Sequence, residues 1–294
     1  MKSILKKVLL PLFAIAMTMG VSAQEQRNFG LYRYNLNIVN PAFTGIQNEH
    51  TFNLQHVAPE LLMSYTNGLN KINSGIGLTF WNLKSGPYRE SKISALYSYH
   101  FKLSENSNLS FGTELKYQKM NVNFSDYDLM DPGDASFSYP KRSNTNFDFD
   151  LGVAYQIGNF NIAAAAKSVL NSRFEDIGIS IKNQNTLYNL YAAYEFPVGK
   201  HSKIIPSLFC TTDFVNPAIF DINVSAELAN ILLLGSAARV TSSYHYQNIN
   251  AGVNIKDKVE LVALYYFNGP KQYTNTKDIN FELLIRIKIK KDSE

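Results

Sequence analysis

Residues 146–157 read NFDFDLGVAYQI, and this stretch decides the fold class of the protein. Apolar residues stand at every second position from Phe147 to Ile157, and polar or small residues such as Asp148, Asp150 and Gly152 fill the positions between them. A β-strand places successive side chains on opposite faces, so the stretch forms a strand with one apolar and one polar face. The same alternation recurs at 93–103, 109–118, 221–228, 248–255 and 281–289. No sustained helical period follows residue 23, so the pattern predicts an all-β protein.

The number and length of these segments favour a membrane barrel. Strands are predicted near 50–58, 61–66, 74–82, 90–103, 109–118, 146–157, 160–167, 187–196, 204–211, 220–228, 231–240, 247–255, 259–267 and 279–289. A soluble sandwich also alternates, but many of these strands have about nine to eleven residues, the length that crosses a bilayer when tilted. In lipid every backbone N–H and C=O must pair within the protein, which a closed sheet achieves. The sequence therefore predicts an antiparallel transmembrane β-barrel of about 14 strands, with an N-terminal periplasmic or plug segment.

The connections between the predicted strands fall into two classes when the N-terminus is placed in the periplasm. At one end they are short, at 67–73, 104–108, 158–159, 197–203, 229–230 and 256–258. At the other end lie the long ones, at 119–145, 168–186, 212–219 and 268–278. Short periplasmic turns and longer external loops are typical of transmembrane barrels. Aromatic side chains near strand ends are candidates either for the interfacial girdles or for ordinary sheet packing; they are Tyr97, Tyr99, Phe101, Tyr191, Tyr194, Phe196, Tyr265, Tyr266 and Phe267.

The first 23 residues have the features of a bacterial secretory signal peptide. Lys2, Lys6 and Lys7 precede an apolar run, and Val21-Ser22-Ala23 supplies small residues at the cleavage spacing. The run is too short to span a bilayer as a helix, which favours a cleaved signal over an N-terminal anchor. Its removal takes away three lysines and no acid, so the net charge falls from +4 to +1. No basic cluster then remains on one face, and a nucleic-acid partner is not expected.

The polar face of the predicted strands carries charges of both signs. They are Glu114, Lys116, Asp148, Asp150, Asp221, Glu227, Arg239, Glu282, Arg286 and Lys288. Mixed charge predicts ion pairs inside the barrel, although a barrel of this size encloses a channel unless something fills it. His100 is expected to face the lumen as well. The strand phase further predicts that arginine is tolerated better at Gly152 or Asn254 than at the lipid-facing Val153 or Val253.

No catalytic, metal or cofactor motif is recognised in the sequence. The five histidines lack metal-ligand spacing, and no serine lies in a nucleophile elbow. Asp131-Pro132-Gly133-Asp134, in the longest external connection, fits either an Asp-initiated turn or a surface calcium site. A protein without enzymatic activity or cofactor is expected. An outer-membrane hydrolase with a catalytic triad spread over several strands stays as an alternative.

Two stretches of the sequence carry a resemblance to a known family. Residues 40–45 read NPAFTG, namely Asn40, Pro41, Ala42, Phe43, Thr44 and Gly45. Residues 75–117 read GIGLTFWNLKSGPYRESKISALYSYHFKLSENSNLSFGTELKY, with a Gly86-Pro87 turn followed by Arg89-Glu90. Together they resemble the PorP/SprF family of Bacteroidetes outer-membrane proteins, associated with type IX secretion, over nearly the whole mature chain. The chain departs from the family at TFNLQHVAPEL, residues 51–61, and in its charged C-terminal tail.

The resemblance implies a role in secretion and not in catalysis. It implies an outer-membrane barrel that supports secretion or cell-surface anchoring of a specific cargo protein, such as a gliding-motility adhesin, with the bilayer and periplasmic secretion components as further partners. The alternative is an outer-membrane diffusion channel for small polar solutes. The expected organisation is a signal peptide at 1–23, an N-terminal segment at 24–48 and the barrel at 49–294. Pro41 and Gly45 favour a turn and Phe43 a buried anchor, so the motif either caps the periplasmic mouth or docks a periplasmic partner.

Overall fold

The structure, a computed structural model, describes residues 29–124, 141–171, 185–241, 245–267 and 281–290. The expected signal peptide at 1–23 and the Asp131–Asp134 turn lie outside these ranges. Within the described ranges, no helix has the length and apolar character needed to cross a membrane. The helical elements there are short 3₁₀ turns, at Tyr32–Tyr34, Leu36–Ile38, Pro41–Phe43 and Asn70–Ile72.

All remaining regular structure in the described residues is β-strand. The strands are β1 (Glu49–Val57), β2 (Glu60–Leu69), β3 (Ser74–Ser85), β4 (Tyr88–Ser104), β5 (Ser107–Asn123), β6 (Lys141–Ile157), β7 (Phe160–Lys167), β8 (Leu187–Tyr194), β9 (Phe196–Pro197), β10 (Lys203–Thr212), β11 (Ile219–Leu228), β12 (Leu232–Val240), β13 (His245–Ile255), β14 (Val259–Phe267) and β15 (Phe281–Lys290). The two-residue β9 continues the path of β8 beside β10 after a break at Glu195.

The strands close into one antiparallel barrel. Each strand pairs with its sequence neighbours, and β15 pairs with β1 from Glu49↔Lys290 onward, so the sheet has no open seam. Because β8 and β9 occupy one position in the wall, the barrel has fourteen strand positions. The predicted fold class is confirmed. At one end, here called the short-turn end, every connection is short, whereas the opposite long-loop end has the longer connections together with the two-residue turns at 58–59 and 86–87.

The outer face of the wall is apolar, as the strand phase predicts. Ile222, Val224, Leu234, Ile249 and Val253 are all more than a third exposed. The alternating residues Asn223, Ser225, Asn248, Asn250 and Asn254 point inward and are buried. In an aqueous protein such an exposed apolar surface would favour aggregation, so the face suits a lipid environment.

An arginine on the middle of this outer face is expected to destabilise the barrel. Ile249 lies near the centre of β13 and is 49% exposed on the lipid-facing side. Ile249→Arg should therefore cost about 2–4 kcal/mol, and Val253→Arg less because Val253 lies nearer the strand end. The folded fraction after refolding into lipid bilayers, read from heat-modifiable migration, measures this cost. Ile249→Leu is the matched control and should fold like the parent protein.

Four neighbouring strands continue past the lipid-facing band at the long-loop end. β4, β5 and β6 have 17 residues each, whereas β1, β2, β7 and β8 have 8 to 10. The last apolar row on the outer face of β3–β6 consists of the paired residues Phe80, Ile93, Tyr117 and Phe147. The next row, Asn82, Ser91, Lys119 and Thr145, is polar. The polar continuation, residues 82–92, 118–123 and 141–146, is called the flap and extends about 15–20 Å along the strands.

The part of the chain ahead of β1 that the structure describes lies inside the barrel. Residues 29–48, called the plug segment, cross the lumen and contact the wall on opposite sides. Phe29, Leu31 and Tyr34 pack in a cluster with residues of β1, β2 and β12–β15, and Tyr32, Val39, Ala42 and Phe43 pack in a second cluster with residues of β6–β8 and β10. The segment is therefore a plug inside the barrel, which is one of the two placements, periplasmic or plug, that the sequence predicted.

The filled lumen corrects two expectations from the sequence. Gly152 does not tolerate a side chain, because a Cβ there would overlap the Asn40 amide, and Asn254 is only 3% exposed. Tyr191 and Tyr266 are not girdle residues, because both are 5% exposed and face the plug segment. Tyr97, Tyr99, Phe101, Tyr194, Phe196 and Phe267 do lie on the exposed outer face.

Candidate functional site

The motif NPAFTG forms one tight turn of the plug segment. The 3₁₀ turn begins at Pro41, whose fixed φ suits the first helical position. Asn40 precedes it in an extended conformation, and its Oδ1 accepts a hydrogen bond from the Ala42 N–H at 2.9 Å. Gly45 ends the turn at φ +65°, a conformation that favours glycine. The local sequence thus determines the shape of the motif before any wall contact is made.

Asn40 also fastens the motif to the wall. Its Nδ2 donates to the carbonyl oxygen of Val153 at 3.1 Å and to that of Ala164 at 2.9 Å. These two residues face each other across β6 and β7. The amide therefore uses both its N–H groups on the wall and its oxygen on the turn. An aspartate would bring a carboxylate oxygen against two carbonyl oxygens, so asparagine is the residue that fits.

A row of small side chains receives the motif. In successive register pairs across β2–β8 stand Gly68, Gly75, Ser98, Gly112, Gly152, Ala165 and Asn189. This small-residue row lies on the inner face of the barrel. Glycine within a strand is unfavourable unless another backbone approaches closely. The close approach here is that of residues 39–45.

Each glycine of the row faces a backbone or amide group of the plug segment. An added Cβ would overlap the Gly45 carbonyl from Gly68, the Thr44 carbonyl from Gly75, Pro41 and Ala42 from Gly112, and the Asn40 amide from Gly152. These contacts involve backbone or an amide that is itself held on both sides, so little can move aside. The row was not recognised in the sequence. The sequence feature that could have revealed it is the presence of four glycines at strand positions that face the lumen.

The carbonyl of Thr44 is held by two side chains of β4. Ser98 Oγ donates to it at 2.6 Å, and His100 Nε2 lies 3.1 Å away. Because a carbonyl only accepts, His100 carries its proton on Nε2 in this arrangement, and Ser110 Oγ lies 2.8 Å from the other ring nitrogen. His100 thus faces the lumen, as predicted, and takes part in seating the motif.

Two aromatic contacts anchor the apolar side of the plug segment. Phe43 meets Tyr191 edge-on with ring centroids 5.9 Å apart, and Tyr32 packs on Phe209 at 5.0 Å. Phe43 is 8% exposed and Ala42 is fully buried. Burial raises the pKa of the Tyr32 and Tyr34 phenols above their usual value, so both remain neutral. The apolar anchor expected at Phe43 is therefore in place.

The upstream half of the plug segment is bound through its backbone. Lys167 Nζ donates to the Ile38 carbonyl, and Asn189 Nδ2 donates to the Val39 carbonyl at 2.8 Å. At the other side of the barrel the Glu282 carboxylate accepts the N–H groups of Gly30 at 2.8 Å and Leu31 at 2.9 Å. Polar side chains on three strands, two of them charged, thus hold this short irregular segment.

The luminal charges form the ion pairs that their mixed signs predicted. Asp150, which is fully buried, pairs with Lys116 and lies 3.5 Å from Lys167 Nζ. Asp221 accepts two hydrogen bonds from Arg239, at 2.5 Å and 2.6 Å. Lys167 therefore links a buried carboxylate of β6 to the plug segment, which couples the wall network to the plug.

The second sequence motif lies far from the first. Gly86, with φ +54°, and Pro87 form the two-residue turn between β3 and β4 at the tip of the flap. Arg89 and Glu90 follow in the flap part of β4, Arg89 on its outer face and Glu90 on its inner face. Thr44 contacts β4 at Ser98, eleven residues from Pro87, or about 35 Å along the strand. The two motifs are not one site.

One protein-family model covers all of the structural features described above. The family model described as type IX secretion system membrane protein PorP/SprF matches residues 21–287, which include the plug segment, the small-residue row and the flap. The chain belongs to the PorP/SprF family. Among curated proteins the sequence has no match. Membership makes the protein a membrane component of a secretion-system family. Within the described ranges no group of three His, Cys, Asp or Glu side chains is placed to hold a metal ion.

Solved outer-membrane barrels share the fold of this family member. The Ralstonia pickettii toluene transporter TbuX matches with a TM-score of 0.56 at 7% identity, covering 87% of this chain and 93% of its own. The TodX deltaS2S3 mutant, a monoaromatic hydrocarbon channel, matches with a TM-score of 0.51 at 10% identity, covering 94% and 96%. At such low identity the likeness extends to the fold alone, an outer-membrane β-barrel.

Proposed function

We propose that the protein supports secretion or cell-surface anchoring of a specific partner protein, such as an adhesin, in the outer membrane of a Bacteroidetes cell. Residues 1–23 direct export, residues 24–48 form the N-terminal segment, and residues 49–294 form the barrel. The short-turn end faces the periplasm and its secretion components, and the long-loop end faces outward. Family membership supports the link to type IX secretion.

The observation that carries this proposal is the seated plug segment. A diffusion channel needs a continuous polar path, whereas this lumen holds a segment packed in two apolar clusters and bound to the wall by Asn40, Lys167 and Glu282. The channel alternative rests on the likeness to TbuX, a toluene transporter, and TodX, a monoaromatic hydrocarbon channel, which share only the fold with this chain. A closed barrel with a packed interior suits a scaffold that binds its partners at its two ends.

The flap is the proposed contact surface for the secreted partner. It is built from paired strands, so its side chains are held in place, and it continues beyond the apolar band of the wall. Arg89 lies on its outer face next to the Gly86-Pro87 turn, and Lys119 lies in the polar row below. Rigid display of polar and charged groups outside the bilayer provides specificity for a protein partner.

Truncating the motif's anchor should separate barrel assembly from partner retention. Phe43→Ala should weaken seating of the plug segment by about 3–5 kcal/mol, because Phe43 is buried against Tyr191. Gly45→Val should act similarly, because Gly45 has φ +65° and its Cβ would meet the Asn67 carbonyl at 2.6 Å. We expect normal amounts of heat-modifiable barrel but partner protein lost from the cell surface into the medium.

The measurement is parallel quantification of barrel and surface-retained partner in cells. Phe111→Ala is the matched control, since Phe111 is 49% exposed on the lipid side of β5; it should retain the partner. Full retention in both motif variants would refute a role for the plug segment in this function. Loss of the barrel itself would assign the motif to assembly instead.

A further inference from the structure

The loop between β10 and β11 exposes two apolar side chains at the long-loop end. Phe214 is 72% exposed and Val215 is 75% exposed, the highest fractions among the large hydrophobic side chains of the described residues. Phe214 also has φ +59°, a backbone angle that is uncommon for a bulky residue. The two residues, here called the apolar tip, are therefore held uncovered in an unfavourable conformation. The proposed function makes no use of them.

The apolar tip continues the lipid-facing surface of the wall. Phe214 packs on Tyr188 with ring centroids 5.0 Å apart. Tyr188 lies on the outer face of β8, because the alternate residues Asn189 and Tyr191 point inward and are buried. Thr212, the last residue of β10, pairs with Tyr188, and Phe214 follows two residues later. Phe214 therefore stands one row beyond the outer face of β8, towards the long-loop end.

The apolar band of the wall is shorter on this side of the barrel. The outward apolar column of β8 and β9 runs from Tyr188 to Phe196, which gives a height of about 21 Å at about 3.4 Å per residue and a tilt of about 40°. The column of β6 runs from Phe147 to Ile157 and gives about 26 Å. The band of an outer-membrane barrel is about 25 Å tall. One apolar row is therefore missing above β8, and Phe214 supplies it.

The backbone N–H groups of the loop are satisfied without water. Three consecutive N–H groups donate to side-chain oxygens of the two preceding residues, namely Phe214 to Thr212 Oγ1 at 3.0 Å, Val215 to Asp213 Oδ1 at 3.0 Å and Asn216 to Asp213 Oδ1 at 2.7 Å. Pro217 comes next and has no N–H. Irregular backbone is costly beside lipid because its polar groups lack partners, and these hydrogen bonds remove that cost for the donors.

The carboxylate of Asp213 is held inside the turn. Its Oδ2 accepts from Asn216 Nδ2 at 2.6 Å and from Asn185 Nδ2 at 2.9 Å. Four hydrogen bonds thus compensate its charge next to the apolar tip. Because Asn185 directly precedes β8, the same carboxylate ties the loop to the strand that carries Tyr188. The position of the apolar tip over the outer face is therefore fixed at both sides.

We propose that the apolar tip is a membrane anchor that inserts among the lipid acyl chains beside β8 and β10, at the long-loop side of the bilayer. Lipid fits because the ring of Phe214 stacks on a lipid-facing residue, the band lacks one row there, and the N–H groups of the loop need no water. An apolar patch on a partner protein is the competing occupant. It would require the apolar tip to stand in water whenever the partner is absent. The anchor goes beyond the proposed function, because it concerns how the barrel is held in the bilayer.

The test measures whether the apolar tip contacts acyl chains. Trp81 is the one tryptophan of the chain, so Phe214→Trp is made in a Trp81→Phe background. The full-length protein is refolded into phosphatidylcholine vesicles with and without bromine on the upper part of the acyl chains. We expect bromine to quench the Phe214→Trp emission nearly as strongly as that of Leu190→Trp, which lies within the lipid-facing column of β8. Ser143→Trp, on the outer face of the flap, is the control that bromine should leave unquenched.

A second variant tests the support of the apolar tip. Asp213→Ala removes the acceptor of two N–H groups, which then need water, so bromine quenching of Phe214→Trp should fall towards that of Ser143→Trp. Asp257→Ala, in a turn at the short-turn end, is the matched control and should change nothing. If Phe214→Trp does not fold, Val215→Trp reports on the same tip.

Emission that aqueous iodide quenches and brominated lipid does not would overturn the proposal and would leave the apolar tip to a protein partner. Bromine quenching that Asp213→Ala leaves unchanged would overturn the role of the hydrogen-bonded turn in supporting the anchor. Both measurements use isolated protein, so they succeed or fail independently of partner retention in cells.

Discussion

Gly112→Leu is expected to unseat the plug segment and open the barrel to ions. The new side chain would occupy the position of Pro41 and Ala42, and those backbone atoms have no room to withdraw because Asn40 is held at Val153 and Ala164. The strand ladder is unaffected, since Gly112 pairs with Ser98 and Gly152 through its backbone. In planar bilayers the parent protein should show only small currents. The variant should show about tenfold or larger conductance, because a barrel of this strand number has a wide lumen once nothing fills it.

The matched control for this experiment is one residue away. Thr113→Leu adds a similar side chain on the lipid face of β5 and should leave the conductance unchanged. Gly112→Ala is the smaller test if the leucine variant does not insert, since the Cβ alone overlaps the plug segment. Unchanged small currents in variants whose plug segment becomes sensitive to protease would show that it does not close the lumen. Large steady currents through the parent protein would favour the diffusion-channel alternative.

Arg239→Met is expected to be among the most destabilising substitutions in the wall. Arg239 and Asp221 are 3% and 4% exposed at their side chains and joined by two short hydrogen bonds. Removing the guanidinium leaves the Asp221 charge buried without its partner, which costs about 3–5 kcal/mol. Urea unfolding of protein refolded into bilayers measures this loss. Adding Asp221→Leu should recover most of it, because the uncompensated charge is then absent as well.

An exposed ion pair supplies the contrast. Lys203 and Glu195 lie 3.3 Å apart, with side chains 36% and 41% exposed. Lys203→Met should change the free energy of unfolding by less than about 1 kcal/mol. Similar losses at Lys203 and Arg239 would mean that burial does not set the value of the luminal pair. Failure of the double variant to recover stability would point to packing of Arg239 on Tyr246, 5.2 Å from its guanidinium carbon, as the main contribution.

The sequence by itself determined the barrel. Alternation in stretches such as 146–157 predicted each strand and its lipid-facing side, because a strand's period of two is a local property of the backbone. The same phase placed Asp150, Asp221, Arg239 and His100 in the lumen, where the structure has them. The turn at residues 40–45 was also predictable from the sequence, because Pro41 and Gly45 act through their own backbone angles.

Only the tertiary structure decided what fills the barrel. Gly68, Gly75, Gly112 and Gly152 are spread over 85 residues and become one row only through the register of four strand pairs, which no local pattern encodes. Strand phase points Tyr191 and Tyr266 into the lumen, but their burial depends on the plug segment that they contact. Whether an inward-facing residue contacts water or packs against a neighbour depends on residues that are far away in the sequence. Local alternation therefore determines which face of the wall Gly152 occupies, and the plug segment determines that nothing larger than glycine fits there.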